Sequence, residues 1–93
     1  MPYKAIEQLC RRYGVRELAL FGSALRNDFK PNSDVDLLVE FDPHARVSFI
    51  TLMRMQRELS TMLHRQVDLV PKGGLKPRIR SAVLENAKVI YAP

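Results

Sequence analysis

Two aspartates one residue apart, in Asp34-Val35-Asp36, open an apolar run that reads as a β-strand. Residues two apart on a strand face the same way, so both carboxylates share one face with α-carbons roughly 6.5–7 Å apart. Asp is depleted in strands, and like charges on one face repel. A divalent cation between them removes that repulsion, and carboxylate oxygens are the ligands Mg²⁺ prefers. Taken alone, the pair is more simply a polar strand start beside a turn. Gly22-Ser23, closing another apolar stretch, offers a second chemistry. Glycine lets a group approach the backbone closely, and the N–H groups of a helix beginning there attract phosphate. Taken alone, Ser23 is an ordinary helix N-cap. Asp68 is the third candidate, set between apolar neighbours in Gln66-Val67-Asp68-Leu69-Val70. An ionised Asp in such a strand is costly unless it is paired or metal-bound. A salt bridge to Arg65 or Lys72 is the simpler account of Asp68 by itself.

These side chains need a scaffold, and the hydrophobic pattern supplies one. Pro2 stands at a first helical turn, and Tyr3, Ile6, Leu9, Cys10 and Tyr13 recur at helical spacing until Gly14 ends the helix. Leu18 to Phe21 reads as a short strand closed by Gly22-Ser23, and a short helix over about 23–28 leads into the turn Lys30-Pro31-Asn32-Ser33. Asp34 to Phe41 reads as a strand buried on both faces, and a helix follows over about 47–63. Its apolar stripe of Leu52, Met55, Leu59, Met62 and Leu63 is core, with Arg54, Arg57 and Glu58 off it. Gln66 to Val70 is a third strand, Pro71-Lys72-Gly73-Gly74 a turn, about 77–86 a last helix and Lys88 to Tyr91 a closing strand. Alternating strands and helices with no internal repeat or linker predict a single α/β domain over residues 1–93.

Taken together, the three signals define a constellation. An apolar-Gly-Ser turn precedes Asp-x-Asp on a strand, and a lone Asp sits on a later strand. If the two strands are neighbours, three carboxylates converge opposite a phosphate-binding turn, as two-metal phosphoryl or nucleotidyl transfer requires. Here the sequence resembles the minimal nucleotidyltransferases of the DNA polymerase beta superfamily, in particular the stand-alone MNT antitoxins paired with HEPN ribonuclease toxins. The resemblance runs from Phe21-Gly22-Ser23 through Ser33 to Phe41 and on to Val67-Asp68-Leu69-Val70, with Pro77-Arg78-Ile79-Arg80 and Val89-Ile90-Tyr91 resembling the usual close.

That resemblance implies an α+β fold, a small mixed sheet with flanking helices like the polymerase beta palm. It implies that Gly22 and Ser23 bind the triphosphate of ATP, that Asp34, Asp36 and Asp68 are the catalytic and metal-binding residues for two Mg²⁺ ions, and that Arg26 is a further nucleotide-binding candidate. Where relatives often read Arg-Ala-Arg-Gly, this chain reads Ala24-Leu25-Arg26-Asn27. The first Arg is missing, and Asn replaces a Gly whose left-handed conformation it can tolerate. The implied activity is transfer of AMP from ATP to a tyrosine hydroxyl of a cognate HEPN toxin, with a toxin–antitoxin hetero-oligomer as the assembly. The alternative is an antitoxin that neutralises its toxin by stoichiometric binding with little catalysis.

Composition bounds these readings. The chain has 93 residues, 46% hydrophobic and 27% charged, which suits a globular domain. It contains no apolar run of membrane-spanning length and opens with no apolar signal core, and its single cysteine fits a reducing cytoplasm. The net charge is +5, but residues 34 to 42 carry −4, leaving +9 on the rest. The basic run Lys72, Lys76, Arg78 and Arg80 reads first as a solvated helix face. Few aromatics and no recognised binding motif argue against nucleic acid as the direct substrate. His44 and His64 lack zinc-ligand spacing, Cys10 lies on an apolar stripe, and Tyr91 reads as packing rather than a modification site.

Overall fold

The structure is a computed structural model, and it describes residues 2–21, 34–74 and 85–92. The elements run α1 (Tyr3–Tyr13), β1 (Val15–Phe21), β2 (Val35–Phe41), α2 (Phe49–Leu63), β3 (Val67–Pro71), a 3₁₀ turn (Lys72–Gly74) and β4 (Lys88–Tyr91). The expected helix after Gly22-Ser23 lies outside the described residues. So does most of the last expected helix, of which Glu85 and Asn86 are helical.

The four strands form one mixed sheet in the order β3-β2-β1-β4. β2 is antiparallel to β1 and parallel to β3, and β1 is antiparallel to β4. The β2–α2–β3 unit is therefore a crossover connection, in which the helix carries the chain back to start a parallel neighbour. Both long helices cover the same face of the sheet. Their buried residues Ile6, Leu9, Cys10, Leu52, Met55 and Leu59 join Leu18, Leu20, Val35, Leu37, Val39, Val67 and Leu69 in one hydrophobic core. The alternation within each strand puts Ala19, Asp36, Leu38 and Asp68 on the other face. Leu38 and Ala19 are nonetheless buried there, so the expected two-sided burial of β2 holds. No helix among the described residues is long and apolar enough to cross a membrane.

The helix ends follow local chemistry. Gly14 closes α1 in the left-handed region at φ 72°, where a β-carbon would also stand 2.9 Å from that of Ala45. Ser48 caps α2 by accepting the Thr51 N–H, which starts the helix later than the apolar pattern suggests. His64, at φ 55°, takes the left-handed cap position that glycine usually fills. β1 begins at Val15 rather than Leu18, because Val15 and Glu17 pair with Phe41 and Glu40 of β2 on either side of a register irregularity at Arg16, although the charged side chains break the apolar run.

The two helices are tied by a polar clasp. Tyr13 Oη donates to Glu58 Oε2, and Arg12 donates to Glu58 Oε1 at 3.0 Å with its guanidinium over the Tyr13 ring. Desolvation and the Glu58 carboxylate both raise the Tyr13 pKa. Beneath it, burial pushes the Cys10 thiol from 9.0 to about 12. A raised acid pKa favours the folded state while the group keeps its proton, so that contribution is full below pH 9 and declines toward pH 12. Two outcomes are expected: stability in urea melts falls as pH rises above 9, and Cys10 resists alkylation at pH 8 until the protein is unfolded. A Cys10→Ala variant should flatten part of the alkaline decline.

Candidate active site

The parallel pairing of β2 with β3 places Asp36 directly beside Asp68. Register partners on neighbouring strands share a face, about 4.8 Å apart across the ladder. Pairing extends one step further, since the Val35 N–H donates to the Gln66 carbonyl at 2.9 Å and so holds the chain at Asp34 against β3. Asp34 precedes β2 by one residue and is exposed, Asp36 is half-buried, and Asp68 is exposed. On the other flank, Phe21 at the end of β1 is the register partner of Asp36. The chain then continues into Gly22 and Ser23, which, with Arg26, lie outside the described residues. The carboxylate strand thus sits between the second aspartate strand and the strand that leads into the Gly-Ser turn.

Two expectations about charge change on inspection. Asp68 does not face the apolar environment that its sequence neighbours suggest. Val67 and Leu69 point into the core while Asp68 points out, so solvent relieves the desolvation cost. Nor does Lys72 pair with it. Lys72 Nζ stands 3.9 Å from Glu17 and 3.6 Å from Glu40, two carboxylates brought face to face by the β1–β2 register. The cation relieves their repulsion at the far end of the sheet, with Arg16 adding a contact to Glu40 at 3.7 Å. Asp42 also has a local task, its Oδ1 accepting the His44 N–H at 2.9 Å in the turn after β2. Of the four acids in residues 34 to 42, Glu40 and Asp42 therefore serve the scaffold.

The strand that carries Asp68 is held by α2 as well as by β2. β3 is an edge strand, and helix side chains take the place of a further strand. The Leu69 N–H donates to Gln56 Oε1 at 2.9 Å and the Val67 N–H to Ser60 Oγ at 3.0 Å, while Ser60 donates to the Gln56 carbonyl. These two bonds flank Asp68. Nothing in the residue types at 56 and 60 announces this, because polar residues on a helix read as solvent-facing. Gln56→Ala leaves a strand N–H unmet and is expected to cost about 1–3 kcal/mol. A urea melt checks that value, and proteolysis near residues 66–70 should accelerate with it.

A metal must be held by donors of the right chemistry. Among the described residues, no three His, Cys, Asp or Glu side chains are gathered as a metal-holding group. The donor type itself fits Mg²⁺: Asp36 and Asp68 are register partners on the open face, Asp34 precedes β2 by one residue, and carboxylate oxygens are the ligands that ion takes. Thiol and imidazole do not fit, because Cys10 is buried in the core on the other face and His44 and His64 lie in turns at either end of α2.

A four-stranded mixed sheet with two helices on one face and paired aspartates at the start of central β2 and edge β3 is the architecture of a nucleotidyltransferase. The comparisons agree. Residues 3–90 match the nucleotidyltransferase domain family. The chain belongs to that family and is an enzyme of that class. Within the family, it is 39% identical over 85 residues to the protein adenylyltransferase MntA of Thermococcus cleftensis, covering 91% of this chain and 82% of that protein. In three dimensions it is similar to a chain of a solved toxin–antitoxin with AMP-PNP, with a TM-score of 0.80, 22% identity, and coverage of 100% of this chain and 75% of that one. A second likeness is to a chain of the tri-AMPylated Shewanella oneidensis HEPN toxin in complex with MNT antitoxin, with a TM-score of 0.70, 20% identity, and coverage of 98% and 70%. At these identities the two structures speak for the fold.

Proposed function

We propose that this protein is an Mg²⁺-dependent adenylyltransferase that acts as an antitoxin, moving AMP from ATP to a tyrosine hydroxyl of a cognate HEPN ribonuclease toxin. The observation that carries the reading is the register pairing of Asp36 with Asp68 on the open sheet face, beside the strand that leads into Gly22-Ser23. Support for the acceptor comes from the relative named as a protein adenylyltransferase and from the fold shared with chains of toxin–antitoxin complexes, one with AMP-PNP and one with an AMPylated toxin.

The acceptor oxygen attacks the α-phosphorus of ATP, the bond to the β-phosphate oxygen breaks, and pyrophosphate leaves with that electron pair. Asp34, Asp36 and Asp68 would hold Mg²⁺, which when bound neutralises the phosphate charge that builds along the displacement. Asp68, exposed on β3, would take the hydroxyl proton as the oxygen attacks. Gly22 and Ser23 would bind the triphosphate, with Arg26 adding charge, as the family's pattern implies. Little covalent work is left to the protein beyond positioning and charge balance.

The test is a mixture of the protein, Mg²⁺, ATP labelled at the α-phosphate and the HEPN toxin. Label should move onto the toxin, and neither chelator-treated samples nor Asp34→Asn should transfer it. Absence of label on the authentic toxin overturns the reading. The departures at Ala24 and Asn27 from the family's usual pattern favour a second reading, neutralisation by stoichiometric binding. Toxin neutralisation that survives both Asp34→Asn and Asp68→Asn would establish it.

A further inference from the structure

Among the described residues β3 has β2 as its one neighbouring strand, and two half-buried side chains of α2 close its outer edge. Gln56 and Ser60 stand four residues apart, about 6 Å along the helix axis, and the Val67 and Leu69 N–H groups are about 6.6 Å apart along the strand. The spacings match, and the pairs run in opposite senses: Gln56 Oε1 accepts from Leu69 at 2.9 Å and Ser60 Oγ from Val67 at 3.0 Å. Ser60 donates its own proton to the Gln56 carbonyl at 2.9 Å, which leaves its lone pairs for the strand. This fit belongs to one register. A slip of β3 by one residue turns Asp68 into the core. A slip of two keeps the alternation of faces but sets Val70 or Gln66 beside Asp36 in place of Asp68. The slip that brings Val70 there turns Gln56 toward Pro71, which has no N–H to give. The opposite slip puts Arg65 at a core position and turns Ser60 toward the Arg65 N–H, which already bonds the Ser60 carbonyl at 3.2 Å.

We propose that Gln56 and Ser60 are positioning residues for AMP transfer, which fix the register of β3 and so hold Asp68 beside Asp36. The inference rests on the adenylyltransferase reading above. Both side chains belong to a helix that packs on the core face, whereas the paired aspartates stand on the open face. Their influence therefore reaches the reacting atoms through the β3 backbone. The two bonds bracket Asp68, one at the residue before it and one at the residue after it. Losing them removes the contacts that oppose a shift of the strand edge, and a misplacement of about 1 Å in a reacting group costs about a hundredfold in rate. Substrate binding does not share that sensitivity, because it draws on many contacts outside β3.

The experiment compares wild type with Gln56→Met and Ser60→Val, which remove the accepting oxygen, and with Gln56→Glu and Ser60→Thr, which keep it. Each is assayed with Mg²⁺-ATP and the HEPN toxin at a temperature where its thermal melt shows it folded. The kcat should fall about tenfold in Gln56→Met and in Ser60→Val, and about a hundredfold when the two are combined. KM for ATP and for toxin should stay within about twofold of wild type, and kcat in Gln56→Glu and Ser60→Thr within about threefold. Without substrates, amide hydrogen exchange at Val67 and Leu69 should quicken about tenfold in the oxygen-lacking variants, relative to Leu37 on β2, and not in the other two. A purely structural role lowers the melting temperature and leaves the kcat of the folded protein at the wild-type value. That result overturns the proposal, as do unaltered exchange at Val67 and Leu69 and a loss of kcat that Gln56→Glu and Ser60→Thr share. If wild type itself transfers no AMP, the adenylyltransferase reading falls and the positioning role with it; transfer by wild type that survives Gln56→Met and Ser60→Val overturns the positioning role alone.

Discussion

Replacing Asp36 with Asn should lower AMP transfer by roughly a thousandfold while leaving the melting temperature unchanged. Asp36 stands on the central strand, register partner at once of Asp68 on β3 and of Phe21 on β1, so it is the one carboxylate with the site on both sides. Asn keeps the shape but removes the charge and one anionic donor. Charge stabilisation by a metal contributes several kcal/mol to a transition state, and about 4 kcal/mol corresponds to three orders of magnitude in rate. The fold should not notice, because the side chain is half-buried on the open face and plays no part in the hydrophobic core. Single-turnover transfer with labelled ATP measures the rate, and a thermal melt measures the fold. Activity within tenfold of wild type would show that this carboxylate is not a metal ligand.

Met55→Ala should do the reverse, damaging the fold first. Met55 is fully buried at the middle of α2, where the helix presses on the sheet. Truncation removes its transfer energy and leaves a cavity, a loss of about 2–5 kcal/mol. In a domain this small each kcal/mol moves the midpoint by about 4–8 °C, so the melting temperature should drop by roughly 10–40 °C. The total stability of such a domain is about 5–15 kcal/mol, and the loss would be a large share of it. Met62, half-buried near the end of the same stripe, should cost less when truncated. A urea melt with an unchanged slope and a lower midpoint would place the effect in the folded state. Because α2 also lends Gln56 and Ser60 to the edge of β3, Met55→Ala should weaken transfer at elevated temperature before the protein unfolds.

Local pattern carried much of this molecule. The three- and four-residue spacing of Ile6, Leu9 and Cys10 defined the buried face of α1, and Gly14 its end, because both depend only on neighbours along the chain. The Leu52, Met55 and Leu59 stripe was legible for the same reason. So was the sharing of one face by Asp34 and Asp36, which follows from the period of a strand. Boundaries were less legible where charge interrupts the apolar run, as at Arg16-Glu17, which enter β1 because Val15 and Glu17 on either side of Arg16 pair with β2. The helix start at Phe49 was set by the Ser48 cap rather than by hydrophobicity.

The sequence by itself determined which residues could do chemistry: an Asp-x-Asp pair, a Gly-Ser turn and a lone Asp, at spacings that any strand or turn must respect. Only the tertiary structure decided that the lone Asp stands beside Asp36 on a neighbouring strand. Strand order and register are sums over many distant contacts, and a slip of one residue between β2 and β3 would have sent Asp68 into the core and Leu69 out. The same long-range pairing set Glu17 against Glu40 and so drew Lys72 to them rather than to Asp68. It also turned Phe49 and Ile50 outward, since only the packing of α2 on the sheet chooses which side of a helix stays dry.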